Sequence, residues 1–192
     1  MRLDQVAFDM LNSLAGRSAA GDVLIRLLMT DYLVPTALAL VLFGLWFTGS
    51  TLARREENQR SALFAITSMF IANLVVKACN LMFYRPRPFA FREVNLLFYY
   101  PSDSSFPSNA ATVGFSVATA VWLANRRAGL LCYVLASAFA LARVAGGVHY
   151  PADILGGLFI GAATAYVVSR KLPFIGYVFD KFIAQVRRLL LA

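Results

Sequence analysis

Five runs of mostly apolar residues follow one another along this chain: roughly Tyr32 to Thr51, Ser61 to Phe83, Asn109 to Ala124, Ala128 to Ala142 and Pro151 to Ser169. About twenty apolar residues cross a bilayer as a helix, which satisfies its own backbone hydrogen bonds away from water. The third and fourth runs are short, so they stand upright or pack inside a bundle. The runs are continuous rather than alternating in polarity, which argues against a barrel. With 59% hydrophobic and 15% charged residues and a mean hydropathy of +0.65, the 192 residues are too apolar for a soluble domain. The expectation is a single all-α domain, residues 1–192: a helical transmembrane bundle of about five spans.

Charge placement orients the bundle. The formal net charge is +8, which invites a nucleic-acid partner, but the basic residues sit at span ends. Arg54, Arg55, Arg60, Arg126, Arg127, Arg170, Lys171, Lys181, Arg187 and Arg188 all fall on one side if the spans alternate. A side so rich in Lys and Arg is expected to be cytoplasmic. No nucleic acid is needed to explain the charge.

The extracytoplasmic side then carries Arg85, Arg87, Arg92, residues 93–108, Arg143 and His149, the chain's one histidine. Leu3, Val6, Ala7, Met10, Leu11 and Leu14 share one helical face, and Gln5, Asp9, Asn12 and Ser13 another. This reads as an N-terminal interfacial helix on the outer side, an anchor without catalytic duty. Phe174 to Leu190 reads as its cytoplasmic counterpart, with Asp180, Lys181, Gln185 and Arg188 on the polar face and the C-terminus cytoplasmic. No cleavable signal peptide is expected, because the first strong apolar run begins near residue 32 without a basic region before it. Cys79 and Cys132 fall inside predicted spans and read as small apolar fillers.

Three short patterns carry chemistry. Arg85-Pro86-Arg87-Pro88 ends the second span, since proline cannot continue a helix. Its guanidinium groups either reach lipid phosphates at the surface or hold a bound phosphate with paired hydrogen bonds. Pro107-Ser108-Asn109 opens the third span. Ser108 suits a helix cap, and the same helix start is an anion site through its free amides and dipole. Arg143 ends the fourth span, and His149 and Asp153 lie four apart where the fifth begins. At that spacing Asp153 is positioned to take one imidazole nitrogen and leave the other free to attack. One His and one Asp are too few ligands for a metal site. The pair favours nucleophilic catalysis on phosphorus.

In order and spacing these patterns resemble the membrane-bound type 2 phosphatidic acid phosphatase superfamily, which includes bacterial undecaprenyl pyrophosphate phosphatases. Its motifs are Lys, six residues, Arg-Pro; Pro-Ser-Gly-His or a variant; and Ser-Arg, five residues, His, three residues, Asp. The resemblance covers a core of about 60–170. It implies that Arg87 and Arg143 clamp the phosphoryl oxygens with help from Ser108 and the backbone at Asn109. It also implies that His149 forms a phosphohistidine, that Asp153 orients it and that no metal or cofactor is required. The implied partners are a lipid pyrophosphate or phosphate substrate and the lipids of the inner membrane.

The chain departs from that pattern in three places. The lysine position holds Asn80, with Lys77 almost one turn earlier on a similar face. Ala142 stands where a serine precedes the arginine. Ala110 stands where the family has the histidine that protonates the leaving oxygen, an effect typically worth about 10²–10⁴-fold. Three readings stay open: an inactivated variant; an enzyme for pyrophosphates that works without that acid or with another donor; and a member that binds lipid phosphates without turnover. The small size, the outward site and Arg85-Pro-Arg-Pro-Phe89 resemble the undecaprenyl pyrophosphate branch. The alternatives are a phosphatidic acid or phosphatidylglycerolphosphate phosphatase and a non-catalytic lipid-phosphate binder.

Overall fold

The computed structural model describes residues 2–189, which form eight α-helices and no strand. These are α1 (Arg2–Asn12), α2 (Ala19–Met29), α3 (Leu33–Phe47), α4 (Leu52–Met82), α5 (Asn109–Ala124), α6 (Arg126–Ala145), α7 (Pro151–Arg170) and α8 (Pro173–Arg188). α4, α6 and α7 are each long and apolar enough to cross a bilayer, and α2 and α3 qualify as a pair bent by 51°. α5 has 16 residues, which is about 24 Å of helix against a hydrocarbon core of about 30 Å. It is the innermost helix, packed against α4, α6 and α7 and buried along most of its length. The expected short third span therefore sits inside the bundle. The fourth, as α6, is longer than its apolar run suggests because it extends to Arg126 and Ala145.

Local signals place the helix ends. Ser18, Thr51, Ser108 and Asn125 each accept a backbone N–H from the first turn of the helix that follows, and Pro151 and Pro173 occupy first turns. Close approach of α7 to α5 depends on two missing side chains. A Cβ on Gly157 would lie 2.5 Å from the Ser108 carbonyl oxygen, and one on Gly161 would collide with that of Thr112. Small residues at a helix contact are how packing, rather than the hydrophobic effect, holds helices together in lipid. Bulky side chains such as Phe43, Phe70, Val134 and Phe159 face outward, exposed.

The basic ends of the helices gather at one pole. Arg54 Nη1 donates to Ala124 O at 3.4 Å and Arg170 Nη2 to Leu123 O at 3.1 Å. α8 joins this pole through Arg60–Asp180 and Arg187–Glu56 and leaves Phe174, Tyr177, Val178 and Phe182 exposed, as an interfacial helix requires. Leu190, its expected last residue, lies outside the described residues. α1 differs from the expected anchor. Leu3, Val6, Met10 and Leu14 are exposed as foreseen, but the opposite face docks onto protein. Asn12 is buried, donating to Ala145 O at 2.8 Å and accepting from Asn95 N at 3.0 Å.

Candidate active site

At the other pole, the end of α4, the start of α5, the end of α6 and the start of α7 converge. The connection from Phe83 to Ser108 lies across them, containing one 3-10 turn at Pro88–Ala90. α6 ends at Ala145 with Gly146 as its cap, and Gly147 turns the chain with φ of +85°, a region that favours glycine. That turn delivers His149 to a cavity of about 220 Å³, walled by Arg87, Asn109, Ala110, Arg143 and His149 together with Asp31, Tyr99 and Asp103.

Chemistry alone assigns the protonation of His149. Its Nδ1 lies 2.9 Å from Ser105 O, which can only accept, so Nδ1 carries the hydrogen. Its Nε2 lies 3.3 Å from Arg87 Nη1, which can only donate, so Nε2 is bare. Burial first, then the charges of Arg87 and Arg143, hold the imidazole pKa below its ordinary value despite the opposing pull of Asp153. The result is a neutral ring whose free lone pair sits beside an arginine.

Arg87 and Arg143 are both buried. Arg87 donates Nη1 to Val148 O at 2.9 Å, Nε to Asp103 O at 3.1 Å and Nη2 to Asp103 Oδ1 at 2.8 Å. Arg143 lies over the rings of Phe98 and Phe139 and pairs through Nη2 with Asp31, while its buried Nε has no partner. Asp31 and Asp103, which pair with the two arginines, are exposed, so this edge of the cavity borders solvent.

Asp153 does not bond His149 directly, a correction to the expected pairing. Its Oδ2 is 3.7 Å from Nδ1, beyond hydrogen-bond reach. It accepts instead from Ser105 Oγ at 2.5 Å, Tyr150 N at 2.7 Å and Arg85 Nη1 at 2.6 Å. Its influence on the ring runs through the Ser105 backbone and the Tyr150 turn. A carboxylate with no exposed surface needs such partners, since an unpaired buried charge is costly.

Arg85 is also corrected. It is absent from the cavity wall and is shared between Asp153 and Asp4, whose Oδ2 accepts from Nη2 at 2.6 Å. Burial opposes the Arg85 charge, but the bonds and charges of Asp4 and Asp153 outweigh it and raise the pKa. Asp4 Oδ1 also accepts from Ala152 N at 2.8 Å, which ties α1 to the start of α7. The N-terminal helix is therefore built into the support of the site.

Ser108 is fully buried and caps α5, accepting from Ala111 N at 3.4 Å. It is not part of the cavity wall, whereas Asn109 and Ala110 at the helix start are. Lys77 and Asn80 line a neighbouring cavity. Asp4, Asp31, Tyr99, Asp103 and Ser105 were missed by the sequence reading. Only the acidic residues among polar neighbours offered any signal, and their partners lie far away in the chain. Next to this cavity an apolar groove of about 380 Å³ runs between α3, α4 and α5, past Leu38, Leu42, Ile66 and Val117. Pro35 and Val113 wall both, so a charged chamber adjoins an apolar one.

Comparison with known proteins bears on this geometry. Residues 61–176 match the family described as the PAP2 superfamily. The chain is 29% identical to undecaprenyl-diphosphatase BcrC of Bacillus subtilis over 85% of its own length and 82% of that protein's. The crystal structure of Aquifex aeolicus LpxE superposes with a TM-score of 0.67 at 23% identity, covering 86% of this chain and 94% of that one. The phosphatidylglycerolphosphate phosphatase of Bacillus subtilis gives 0.58 at 21%, over 88% and 85%. At such identities the two structures speak for the fold alone.

Proposed function

The chain belongs to the PAP2 superfamily and is an integral-membrane lipid phosphatase, and on that premise we propose that it hydrolyses undecaprenyl pyrophosphate to undecaprenyl phosphate through a phosphohistidine on His149. The observation that carries the reading is the junction at Pro35 and Val113, where the arginine-lined cavity meets the apolar groove. A phosphate bound between Arg87 and Arg143 then has its isoprenoid tail in apolar surroundings.

In this mechanism the bare Nε2 attacks the terminal phosphorus. The bond to the bridging oxygen breaks, and its electron pair leaves with the lipid monophosphate. Arg87, Arg143 and the first amides of α5 hold the phosphoryl oxygens and neutralise transition-state charge. Water then bonds to phosphorus, the N–P bond breaks and returns its pair to Nε2, and one water proton passes to solvent. Asp153, Ser105 and Arg85 act as positioning residues for the ring.

Ala110 supports a pyrophosphate over a simple ester. No acid stands at that position, and the nearby Tyr99 phenol is pushed up by burial and by Asp31, which makes it a poorer donor. A leaving phosphate, with a second pKa of about 6, departs without a proton far more readily than an alkoxide. The basic pole lies opposite the cavity, which supports an extracytoplasmic site in the inner membrane with a cytoplasmic C-terminus.

Purified protein given undecaprenyl pyrophosphate is expected to release phosphate and to show an acid-labile phosphoryl adduct that His149→Gln removes. An adduct that persists in the glutamine variant refutes the nucleophile. A tag placed at residues 124–127 is expected to be protected from external reagents in intact cells. Labelling there would invert the topology.

A further inference from the structure

Beside the catalytic cavity lies a second one of about 390 Å³, and the geometry points to it as the subsite for the leaving lipid phosphate of a diphosphate substrate. The inference rests on the pyrophosphatase reading above. The two cavities have Asp103 and Asn109 as common walls, so a ligand held by Arg87 is one side-chain layer from the second chamber. That chamber is lined by Lys77 and Asn80. Among the described residues no carboxylate pairs with Lys77. The Asn80 amide oxygen is buried without a partner, and the amide is free to turn toward a ligand. A cation and an uncommitted amide thus face a chamber adjoining the phosphoryl clamp.

Charge and chemistry give this arrangement a purpose. In the catalytic cavity Arg87 and Arg143 are offset by Asp103 and Asp31, so the charge on a second phosphate calls for another cation. With alanine at position 110 the leaving group departs unprotonated. As the Nε2–phosphorus bond forms, the bridging P–O bond breaks and its pair stays on the lipid monophosphate. The Lys77 ammonium stabilises that developing charge, and no proton moves. Electrostatic stabilisation of this kind is often the largest contribution to catalysis. Asp103 stands in the shared wall and repels an anion there, but its side chain is 61% exposed and a phosphate on Arg87 displaces it outward. The plainer role for Lys77 is to snorkel from α4, beside exposed Leu74 and Leu81, to phosphates of the bilayer surface.

Equilibrium binding of farnesyl diphosphate and farnesyl monophosphate, which have the same tail, separates the two roles when measured in the His149→Gln background, where the diphosphate is not turned over. Lys77→Met is expected to weaken the diphosphate about tenfold, the scale of one charged hydrogen bond, and to leave the monophosphate within about twofold. Lys77→Arg restores the diphosphate. Asn80→Asp, which puts a negative charge in the same chamber, reproduces the diphosphate-selective loss in a second, independent variant. Equal losses on both lipids, or no loss on either, overturn the subsite while leaving the phosphatase reading standing. If the His149→Gln protein with Lys77 and Asn80 intact binds neither lipid, both fall.

Discussion

Restoring an acid at position 110 tests the chemistry most directly. Ala110 is half-buried at the start of α5 with its methyl in the cavity wall. Ala110→His would place an imidazole in a chamber of about 220 Å³, beside Arg87 and Arg143. Both arginines and the positive end of the α5 dipole lower its pKa, which makes the imidazolium a stronger donor. General acid catalysis is typically worth about 10²–10⁴-fold, or roughly 3–5 kcal/mol at about 1.4 kcal/mol per decade. That range applies where the leaving oxygen is as basic as hydroxide, with a conjugate acid near 15.7. A leaving phosphate with a pKa of about 6 is already mostly ionised at neutral pH, and the gain shrinks to about tenfold or less. Phosphate release is therefore measured on an isoprenyl diphosphate and on a lipid phosphomonoester, before and after the substitution. The monoester is expected to gain at least about a hundredfold in kcat/KM and the diphosphate about tenfold or less. The monoester rate acquires a basic limb where the new imidazolium loses its proton. Equal gains on both lipids, or none on the monoester with the variant folded, refute the claim that the missing acid sets substrate preference.

The remaining predictions concern the support of the site. Asp4→Asn removes the charge that fixes Arg85 and is expected to lower turnover about tenfold with little change in KM, on the scale of a charged hydrogen bond. An equal loss in Leu3→Ser, which alters only the exposed face of α1, would reduce that helix to an anchor. Burial lowers the His149 pKa, so phosphohistidine formation should stay flat as pH falls through about 6.5, the ordinary imidazole value. In the window between 6.5 and the lowered pKa the unfolded chain binds a proton that the folded one does not. Stability therefore declines as pH drops through it, and an inflection at or above 6.5 would contradict the neutral, buried ring. Gly161→Ala forces a methyl against the Thr112 carbonyl and should cost about 1–3 kcal/mol, read as a lower Tm in detergent. An unchanged Tm would mean that α5 and α7 have slack where the structure places contact.

The apolar runs by themselves determined an all-helical membrane bundle, because hydropathy over a span is a local property and a bilayer imposes one solution on it. Ser108, Asn125 and Pro151 mark helix ends for the same reason, since a cap acts within one turn. His149, Arg87 and Arg143 stood out as candidates because their motifs resemble a known family in order and spacing, and the fold brings them to one cavity. What local pattern could not contain was decided by packing. α2 carries Asp22 and Arg26 inside an apolar stretch, and only its packing against α3 and α6 gives it a place in the bundle. Asp4 supports the site from 149 positions before Asp153, and nothing along the chain links them until α1 docks on Asn95 and Ala145. The partner of His149 Nδ1 is a backbone carbonyl, a group every residue carries and no sequence distinguishes. Spacing placed Asp153 on the right face of α7. Only the folded chain shows that its carboxylate is taken by Ser105, Tyr150 and Arg85, because hydrogen bonds follow distances set by tertiary packing rather than separation in sequence.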